Sequence, residues 1–220
     1  FGNYIDIAEK LGDAIFVDGT INRSRLVPSD LPYNKVKGID CVSVQIKQRR
    51  MAYYVPGKFL VIVDDITSKD ERTYTQWFNL FPGLQISDSE DDWLISDNEE
   101  VLAVIRTLDG GPAEFIHRKG QDNPRLEGWI SPNGHTLQET QAMGIRKRGK
   151  SGLIATMIDV DFGLTRSVSF NIGSGGKYSR IKVVREDETF DLRVRNKGHM
   201  TKIEHSSEEG EIEKEFSILD

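Results

Sequence analysis

The chain has 220 residues and a mass of 24.9 kDa, with 37% hydrophobic residues, 29% charged residues and a net charge of −6. The apolar share can fill a core, which excludes wholesale disorder, and no apolar run reaches the roughly 18 residues of a membrane-spanning helix. A pI near 5.4 disfavours a protein that coats nucleic acid, because such proteins are usually basic.

The N-terminus shows no targeting signal. Phe1 is not a start methionine, and neither the charged nor the apolar segment of a signal peptide follows it. We therefore expect the sequence to be a piece of a longer protein. Cys41 is the only cysteine, so we expect no internal disulfide and no Cys-based zinc site. Its place in the strand-like run Ile39–Ile46 predicts a small, buried side chain.

The first segment, Tyr4–Phe16, is the only part of the sequence with helical spacing. Its apolar residues that fit one helix face are Tyr4, Ile7, Ala8, Leu11 and Ile15. The spacing allows one short helix here.

From residue 42 onward the dominant period is two. Val42, Val44 and Ile46 alternate with polar residues, as expected of strands. The runs Arg50–Val55 and Phe59–Ile66 flank Pro56-Gly57, a pair that favours a tight reversal, so they predict a hairpin. Further strand-like runs are Thr73–Leu80, Trp93–Ser96, Val101–Thr107, Ala113–His117, Leu153–Val160, Arg166–Ile172, Tyr178–Val184, Thr189–Val194, Met200–Glu204 and Ile212–Ile218.

The number and spacing of these runs predict the fold class. About fifteen strands rarely stay in one open sheet, so we expect two packed sheets. The sequence has no Pro/Ser-rich linker and no repeat of fixed period. We therefore predict an all-β fold, a large antiparallel two-sheet β-sandwich of the supersandwich type, formed by residues 1–220 as a single domain.

Two motifs with catalytic associations have simpler structural interpretations. Gly173–Lys177 lacks the first glycine and the final Ser or Thr of a phosphate-binding loop, so we interpret it as a hairpin loop. Asp64 and Asp65 end an apolar run, but adjacent strand residues point to opposite faces and cannot act as a close dyad. We expect one of them to cap a turn before Ser68.

The four histidines show no His-x-x-x-His pair, and we expect no metal and no other cofactor. His135 is the most interesting of the four. Asn133-Gly134 predicts a loop for it beside Trp129, and loops carry function more often than core strands. We therefore take Trp129 and His135 as candidate ligand contacts, with an ordinary exposed histidine as the alternative.

The densest basic cluster consists of Arg146, Lys147, Arg148 and Lys150, and we expect it at the tip of a hairpin spanning Ile145–Leu153. On an acidic protein, a local cationic patch can bind the sulfate or carboxylate groups of an anionic polymer. Arg146, Lys147 and Arg148 are therefore candidate ligand contacts, and a solvated turn is the alternative. Other arginines that would extend this surface if they lie nearby are Arg23, Arg25, Arg193 and Arg195.

A longer part of the sequence resembles a known family. Gln48–Gly83 contains an Arg-led strand, a tight turn, an apolar strand ending in Asp, and an aromatic strand ending in Leu before Pro-Gly. Gly128–Pro132 contains a Gly-Trp-x-Ser element, and Gly152–Val160 resembles the strand that follows it. Over roughly residues 40–160, these features resemble the C-terminal β-sandwich region of the heparinase II/III-like polysaccharide lyases.

The resemblance implies a two-part enzyme. An (α/α) toroid upstream of Phe1 would supply the Tyr and His for β-elimination on a uronic-acid-containing polysaccharide, such as a glycosaminoglycan. The elimination needs a base, an acid for the leaving oxygen and a group that neutralises the carboxylate. The sequence contains neither a toroid nor the family's His-rich loop, so we name no catalytic residue and expect the isolated chain to be inactive. A periplasmic or extracellular location is also implied.

The sequence leaves two other functions open. One is a stand-alone, non-catalytic carbohydrate-binding module, which exposed coplanar Trp and Tyr side chains would favour. The other is a structural module for domain packing, which a long exposed apolar strip would favour. No nucleic-acid partner is expected.

Overall fold

The structure, a computed structural model, describes residues 3–28, 41–89, 92–108, 113–122, 126–173 and 177–217. These residues form sixteen strands and one 3₁₀ turn, Phe162–Leu164. None of the described segments is a helix long and apolar enough to cross a membrane. The side chain of Cys41 lies outside the described part of the chain.

Most of the described residues belong to strands. In chain order they are β1 (Asn3–Leu11), β2 (Ala14–Pro28), β3 (Cys41–Val55), β4 (Phe59–Asn79), β5 (Gln85–Ser89), β6 (Asp92–Asp97), β7 (Glu100–Thr107), β8 (Glu114–Lys119), β9 (Trp129–Ile130), β10 (Gln138–Glu139), β11 (Gln141–Asp159), β12 (Thr165–Ile172), β13 (Tyr178–Arg185), β14 (Thr189–Lys197), β15 (Met200–Ser207) and β16 (Gly210–Ser217).

The N-terminal segment is a β-hairpin, so the short helix that its spacing allowed is wrong. β1 and β2 pair antiparallel outward from Leu11 and Ala14, and Gly12 adopts a φ of 63° in the turn between them. Ile7, Leu11 and Phe16 are buried in the core. Glycine at positive φ reverses the chain where a helix would continue, and pairing with β3 holds β2 in the sheet.

The larger sheet has nine strands in the order β1-β2-β3-β4-β11-β7-β6-β5, with β8 also paired to β11. The predicted hairpin at Pro56-Gly57 joins β3 to β4, and Gly57 has a φ of 72°. β11 is the longest-range element, because it pairs with β4 along most of its 19 residues, with β8 near its start and with β7 near its end. Its register shifts between Gly149 and Ser151.

The second sheet is a five-stranded antiparallel meander, β12-β13-β14-β15-β16. β12 and β13 pair antiparallel, and residues 174–176 of the predicted loop Gly173–Lys177 lie outside the described part. The backbone N–H of Gly173 donates to the carbonyl of Tyr178 at 3.0 Å. A short ladder of β9 and β10 leads into β11.

Two apolar clusters fill the fold. The main core lies between the sheets: Phe59 of the large sheet meets Phe190 of the small sheet edge to face, with ring centroids 5.3 Å apart. Other members from both sheets are Phe16, Tyr53, Val61, Val63, Met157, Ile181, Val183, Leu192 and Ile203. The second cluster lies on β4 to β7 and β11 and includes Trp93, Ile105, Met143, Ile145 and Ile154. The predicted all-β two-sheet sandwich is therefore confirmed.

A buried arginine joins the two sheets. Arg185 of β13 is 3% exposed, and its guanidinium lies 4.0 Å from Asp159 of β11 and 3.0 Å from Glu188. It also pairs with Asp161 in the connection between the sheets. Because each charge of Arg185 and Asp159 has an opposite charge or a hydrogen-bond partner, the pair can be buried between apolar layers.

Candidate functional site

The basic cluster at residues 146–150 lies within β11, so its prediction as a hairpin tip is wrong. Arg146 faces Thr75 of β4 on one side and Glu114 of β8 on the other. Strand alternation places Lys147 on the opposite face from Arg146 and Arg148. The predicted hairpin spanned the register shift at Gly149, which bends the strand without reversing it.

The two arginines of this cluster are paired with acidic side chains. Arg146 Nη1 lies 3.5 Å from Glu114 Oε2, and its Nε donates to Thr75 Oγ1 at 3.3 Å. Arg148 Nε lies 2.6 Å from Glu71 Oε1, although the Arg148 side chain is 76% exposed. Their charges are therefore partly compensated before any ligand binds.

Trp129 is held by its own loop. Its indole N–H donates to the carbonyl of Gln121 at 3.2 Å, and the side chain is half-buried. Gly128 before it has a φ of 74°, and its carbonyl accepts from the N–H groups of Gly120 and Thr140. Trp129 thus stabilises the segment that precedes β11, and its polar atom is already bonded.

His135 lies exposed in the connection between β9 and β10. Asn133 Oδ1 accepts from the backbone N–H groups of His135 and Thr136, which forms a turn that the Asn-Gly pair predicted. This connection lies before the start of β11. Among the described residues, no hydrogen bond or ion pair joins His135 to Arg146 or Arg148.

A tyrosine–histidine pair occurs in the core. The hydroxyl of Tyr53 lies 2.8 Å from His205 Nε2, and the two residues are 0% and 2% exposed. Burial raises the pKa of Tyr53, assisted by the charge of Asp191. Burial lowers the pKa of His205, while the charge of Asp191 opposes this. Because a polymer cannot reach side chains this deep, we interpret the pair as part of the core.

Asp64 and Asp65 point to opposite faces, as predicted, but neither caps a turn because β4 continues to Asn79. Asp64 is 1% exposed, and its carboxylate accepts from both Arg50 and Gln76, at 2.7 and 2.9 Å. A carboxylate satisfied in this way stabilises the junction of β3 and β4 and is not a free acid or base.

The structure assembles a different cationic surface on the outer face of the five-stranded sheet. Residues such as Ile181 and Val194 point to the core, so their strand neighbours point outward. Arg180 of β13 pairs with Arg193 of β14, and Tyr178 pairs with Arg195. The strand register therefore brings three arginines and one tyrosine onto adjacent outward positions.

A cleft of about 730 Å³ lies over this part of the sheet. We call it the cationic cleft; it is lined by Asn171, Ile172, Lys177, Tyr178, Arg180, Arg193, Arg195, Asn196 and Lys197. The lining taken from the described residues includes five cationic side chains and no acidic one. Its volume is within the range of ~300–1,000 Å³ that is usual for ligand sites.

Carboxylates at the margin of the cationic cleft orient its arginines. Arg180 Nε donates to Asp191 at 2.8 Å, and Arg195 lies 3.0 Å from Glu204. Arg193 lies between both carboxylates, at 3.4 Å from Asp191 and 3.9 Å from Glu204. Burial acts to raise the pKa of Asp191, but the hydrogen bonds and charges of Arg180 and Arg193 outweigh it and hold that pKa below its usual value.

Tyr178 forms an exposed aromatic surface in the cationic cleft. Its side chain is exposed, and its ring lies over Gly173, where an added Cβ would come within 1.9 Å of the ring. Gly173 thus leaves the space that the ring occupies. The sequence pointed to Arg193 and Arg195 only as extensions of the β11 cluster, and they lie on the other sheet. The alternation in Tyr178–Lys182 and Arg193–Lys197 was the available signal.

The described residues contain no group of three or more His, Cys, Asp or Glu side chains arranged to hold a metal ion. The side chains of Arg23 and Arg25, which the sequence suggested as further contacts, lie outside the described part of the chain. The cationic cleft is therefore the candidate site that the described residues offer.

Comparison with known proteins identifies the fold but no family. The sequence matches no family profile and no curated protein. The two-sheet sandwich is similar to solved structures of polysaccharide lyases that act on heparan sulfate.

Two of these structures come from Pedobacter heparinus. A mutant of the heparan sulfate lyase HepC is 10% identical with a TM-score of 0.60, and the match covers 90% of this chain and 28% of that chain. HepC itself is 8% identical with a TM-score of 0.54, and the match covers 99% of this chain and 28% of that chain. This chain therefore spans 28% of the length of these relatives. At such low identity the similarity establishes the fold alone.

Proposed function

We propose that this chain is the β-sandwich domain of a polysaccharide lyase that acts by β-elimination on an acidic, uronic-acid-containing polysaccharide. The observation that carries the proposal is the similarity of 90% of the chain to part of a heparan sulfate lyase, at a TM-score of 0.60. Residues 40–160 also resemble the C-terminal β-sandwich region of such lyases in sequence. In this proposal residues 1–220 form a single domain beside an (α/α) toroid of the same protein.

The isolated chain is expected to lack activity. β-Elimination needs an acid and a base that contact the substrate, and a positive group that neutralises its carboxylate. The Tyr53–His205 pair has suitable residue types but is buried in the core. Accordingly, no residue of the described part is proposed as catalytic, and the toroid supplies the chemistry.

The polysaccharide contacts predicted from the sequence remain part of the proposal, but the structure supports some of these residues more than others. Arg148 and His135 have exposed side chains, which supports a contact with polysaccharide. Arg146 and Trp129 bind Glu114 and Gln121 within the domain, which supports a structural role first. Lys147 is half-buried on the opposite face from the arginines and shares no surface with them.

A non-catalytic carbohydrate-binding module is the second candidate. The exposed ring of Tyr178 beside five cations favours it, because such a surface binds a sugar without any catalytic group. A domain-packing role has support from a different feature, the exposed apolar side chains in β8 and in the connections after β4, before β9 and before β10: Phe115, Phe81, Leu126 and Leu137.

An elimination assay separates the lyase from the module. The full protein encoded by the gene and the isolated chain are each incubated with heparin, heparan sulfate, hyaluronan and alginate, and the absorbance of the unsaturated uronic acid product is followed. We expect product with the full protein on at least one substrate and none with the isolated chain. Absence of product from the full protein on every substrate would contradict the lyase proposal, and turnover by the isolated chain would contradict its dependence on a toroid.

A further inference from the structure

We propose that the cationic cleft on the outer face of the five-stranded sheet is a binding site for a short segment of sulfated or carboxylated sugar. This inference deepens the proposed function, on which the ligand class rests, by assigning the main polyanion site to the small sheet, apart from the contact proposed for Arg148 on β11. The site does not depend on catalysis, so its test is a binding measurement.

The charge balance of the cationic cleft supports an anionic ligand. Five cationic side chains line it, and the carboxylates that pair with its arginines are Asp191 and Glu204. Five positive charges against two negative charges leave an excess of three at this surface, on a protein whose net charge is −6. A local excess of one sign in a concave surface attracts ligands of the other sign.

The two lysines supply the charge that is available to a ligand. Lys177 and Lys197 are exposed, and neither is paired with a carboxylate in the described part of the chain. The N–H of Asn196 donates to the carbonyl of Lys177 at 2.9 Å, which connects the start of β13 to the end of β14. The backbone thus places Lys177 beside the end of β14 that carries Lys197, and both residues line the cleft. Lysine ammonium groups bind sulfate or carboxylate as point charges.

The arginines are oriented before a ligand arrives. Arg193 contacts Asp191 and Glu204 at 3.4 and 3.9 Å, which is long for a charge-assisted hydrogen bond. It therefore retains donors for a planar anion, and Arg195 is held beside it by Glu204. An oriented guanidinium loses less side-chain entropy on binding than a free one.

Tyr178 favours a sugar over a simple anion. A sugar ring presents an apolar face that packs on an aromatic ring, while its anionic substituents reach the surrounding cations. An aromatic ring among cationic side chains can bind both the apolar face and the anionic substituents of a sulfated or carboxylated sugar.

Acidic residues limit the length of the site. On the same outer face, β15 and β16 present carboxylates next to the cleft, namely Glu204, Glu211, Glu213 and Glu215. A polyanion crossing toward β16 would be repelled, so only a short segment over β13 and β14 is bound. This arrangement also disfavours a long nucleic-acid duplex, which needs a continuous basic surface.

The test compares the effect on sugar binding of removing two lysines from the cationic cleft with that of removing two lysines beside the basic residues of β11. Binding of a heparin-derived hexasaccharide to the isolated chain is measured by calorimetry for the wild type, for Lys177→Ala/Lys197→Ala and for Lys69→Ala/Lys150→Ala. Both pairs remove two exposed lysines, but the second pair lies beside the basic residues of β11. We expect the cleft variant to raise Kd about tenfold, equivalent to ~1.4 kcal/mol, and the control to change it less than about twofold.

A second pair of variants tests the aromatic contact without a change in charge. Tyr178→Ala should weaken hexasaccharide binding several-fold, while Tyr178→Phe, which keeps the ring, should bind as the wild type does. Equal weakening by both lysine pairs, loss confined to Lys69→Ala/Lys150→Ala, or no effect of Tyr178→Ala would overturn the assignment. Equal affinity for a DNA oligonucleotide of the same charge would overturn the sugar as ligand. If the wild type does not bind, the cleft inference fails, while the lyase proposal is still decided by the elimination assay.

Discussion

At the scale of single residues, a dense run of basic residues in the sequence did not predict which cations lack an acidic partner in the fold. Arg146 and Arg148 are in the densest basic run, yet each has an acidic partner that is distant in sequence, Glu114 or Glu71. Lys177 and Lys197 lie outside the densest basic run but have no such partner in the described part and lie at one cleft. Ion pairs between strands depend on register, which local composition does not encode.

Two glycines at positive φ differ in the space that an added side chain would find, and this predicts different costs of substitution by alanine. Gly57 and Gly128 both have positive φ, at 72° and 74°, but only Gly128 is crowded, since an added Cβ would meet Thr140 O at 2.8 Å and Gly120 N at 2.9 Å. Gly57→Ala should destabilise the fold by about 1 kcal/mol through backbone strain alone. Gly128→Ala should cost roughly 2–4 kcal/mol, because backbone atoms must also move.

Urea unfolding of both glycine variants measures this difference. Gly57→Ala is the matched control, since it carries the same strain in open space. Equal losses of unfolding free energy in the two variants would show that the contacts around Gly128 relax freely.

At the scale of secondary-structure elements, the sandwich depends on contacts between its sheets. Arg185 of β13 is buried against Asp159 of β11, whereas Arg166 of β12 pairs with Glu186 at the surface. Arg185→Met removes the hydrogen bonds of Arg185 to Asp161 and Glu188. Asp159 keeps Arg106 at 2.6 Å and Glu188 keeps Lys58 at 2.6 Å, so the substitution should cost about 1.5–3 kcal/mol of unfolding free energy. Arg166→Met removes an exposed pair and should cost less than about 1 kcal/mol.

Chemical denaturation with two probes tests this difference between arginines. Tryptophan fluorescence and far-UV circular dichroism should report the same loss of unfolding free energy for Arg185→Met, because Arg185 joins the two sheets. A cost for Arg185→Met no larger than that for Arg166→Met would contradict the role of the buried pair in joining β11 to β13.

At the scale of the whole molecule, the interior predicts a dependence of stability on pH. Burial lowers the pKa of His205 below its ordinary value of 6.5, while the charge of Asp191 opposes the shift. Below pH 6.5 the unfolded chain binds a proton at this histidine that the folded chain does not, so stability is lost as pH falls toward the lowered pKa. The limiting slope is about 1.4 kcal/mol per pH unit for one proton.

Thermal or urea unfolding between pH 7.5 and 5.0 measures the slope. We expect His205→Gln to flatten the loss of stability, whatever its effect at pH 7.5, and His135→Gln at the exposed loop to leave the slope unchanged. The lowered pKa of Asp191 acts at a lower pH, below its ordinary value of 3.8, and is separated from this window. An unchanged slope in His205→Gln would exclude this histidine as its source.

Much of the fold was predictable, because strands and tight turns leave local patterns of apolar, polar and turn-forming residues in the sequence. Alternation identified most of the longer strands after residue 42, but not β5, β9, β10 or the first half of β11, and Pro56-Gly57 identified a hairpin. The prediction was wrong at Tyr4–Phe16, where helical spacing and strand alternation coincide and Gly12 decided between them. It was wrong again at Ile145–Leu153, where a shift in register resembled a turn.

The sequence by itself determined that this protein is an all-β sandwich, since side-chain alternation records which residues share a face and where apolar faces need cover. Only the tertiary structure decided that β11 runs unbroken between β4, β7 and β8, and that charges from β13 and β14 meet in one cleft. The physical reason is that strand pairing joins residues distant in the chain, so the neutralisation of a charge depends on its neighbours in space.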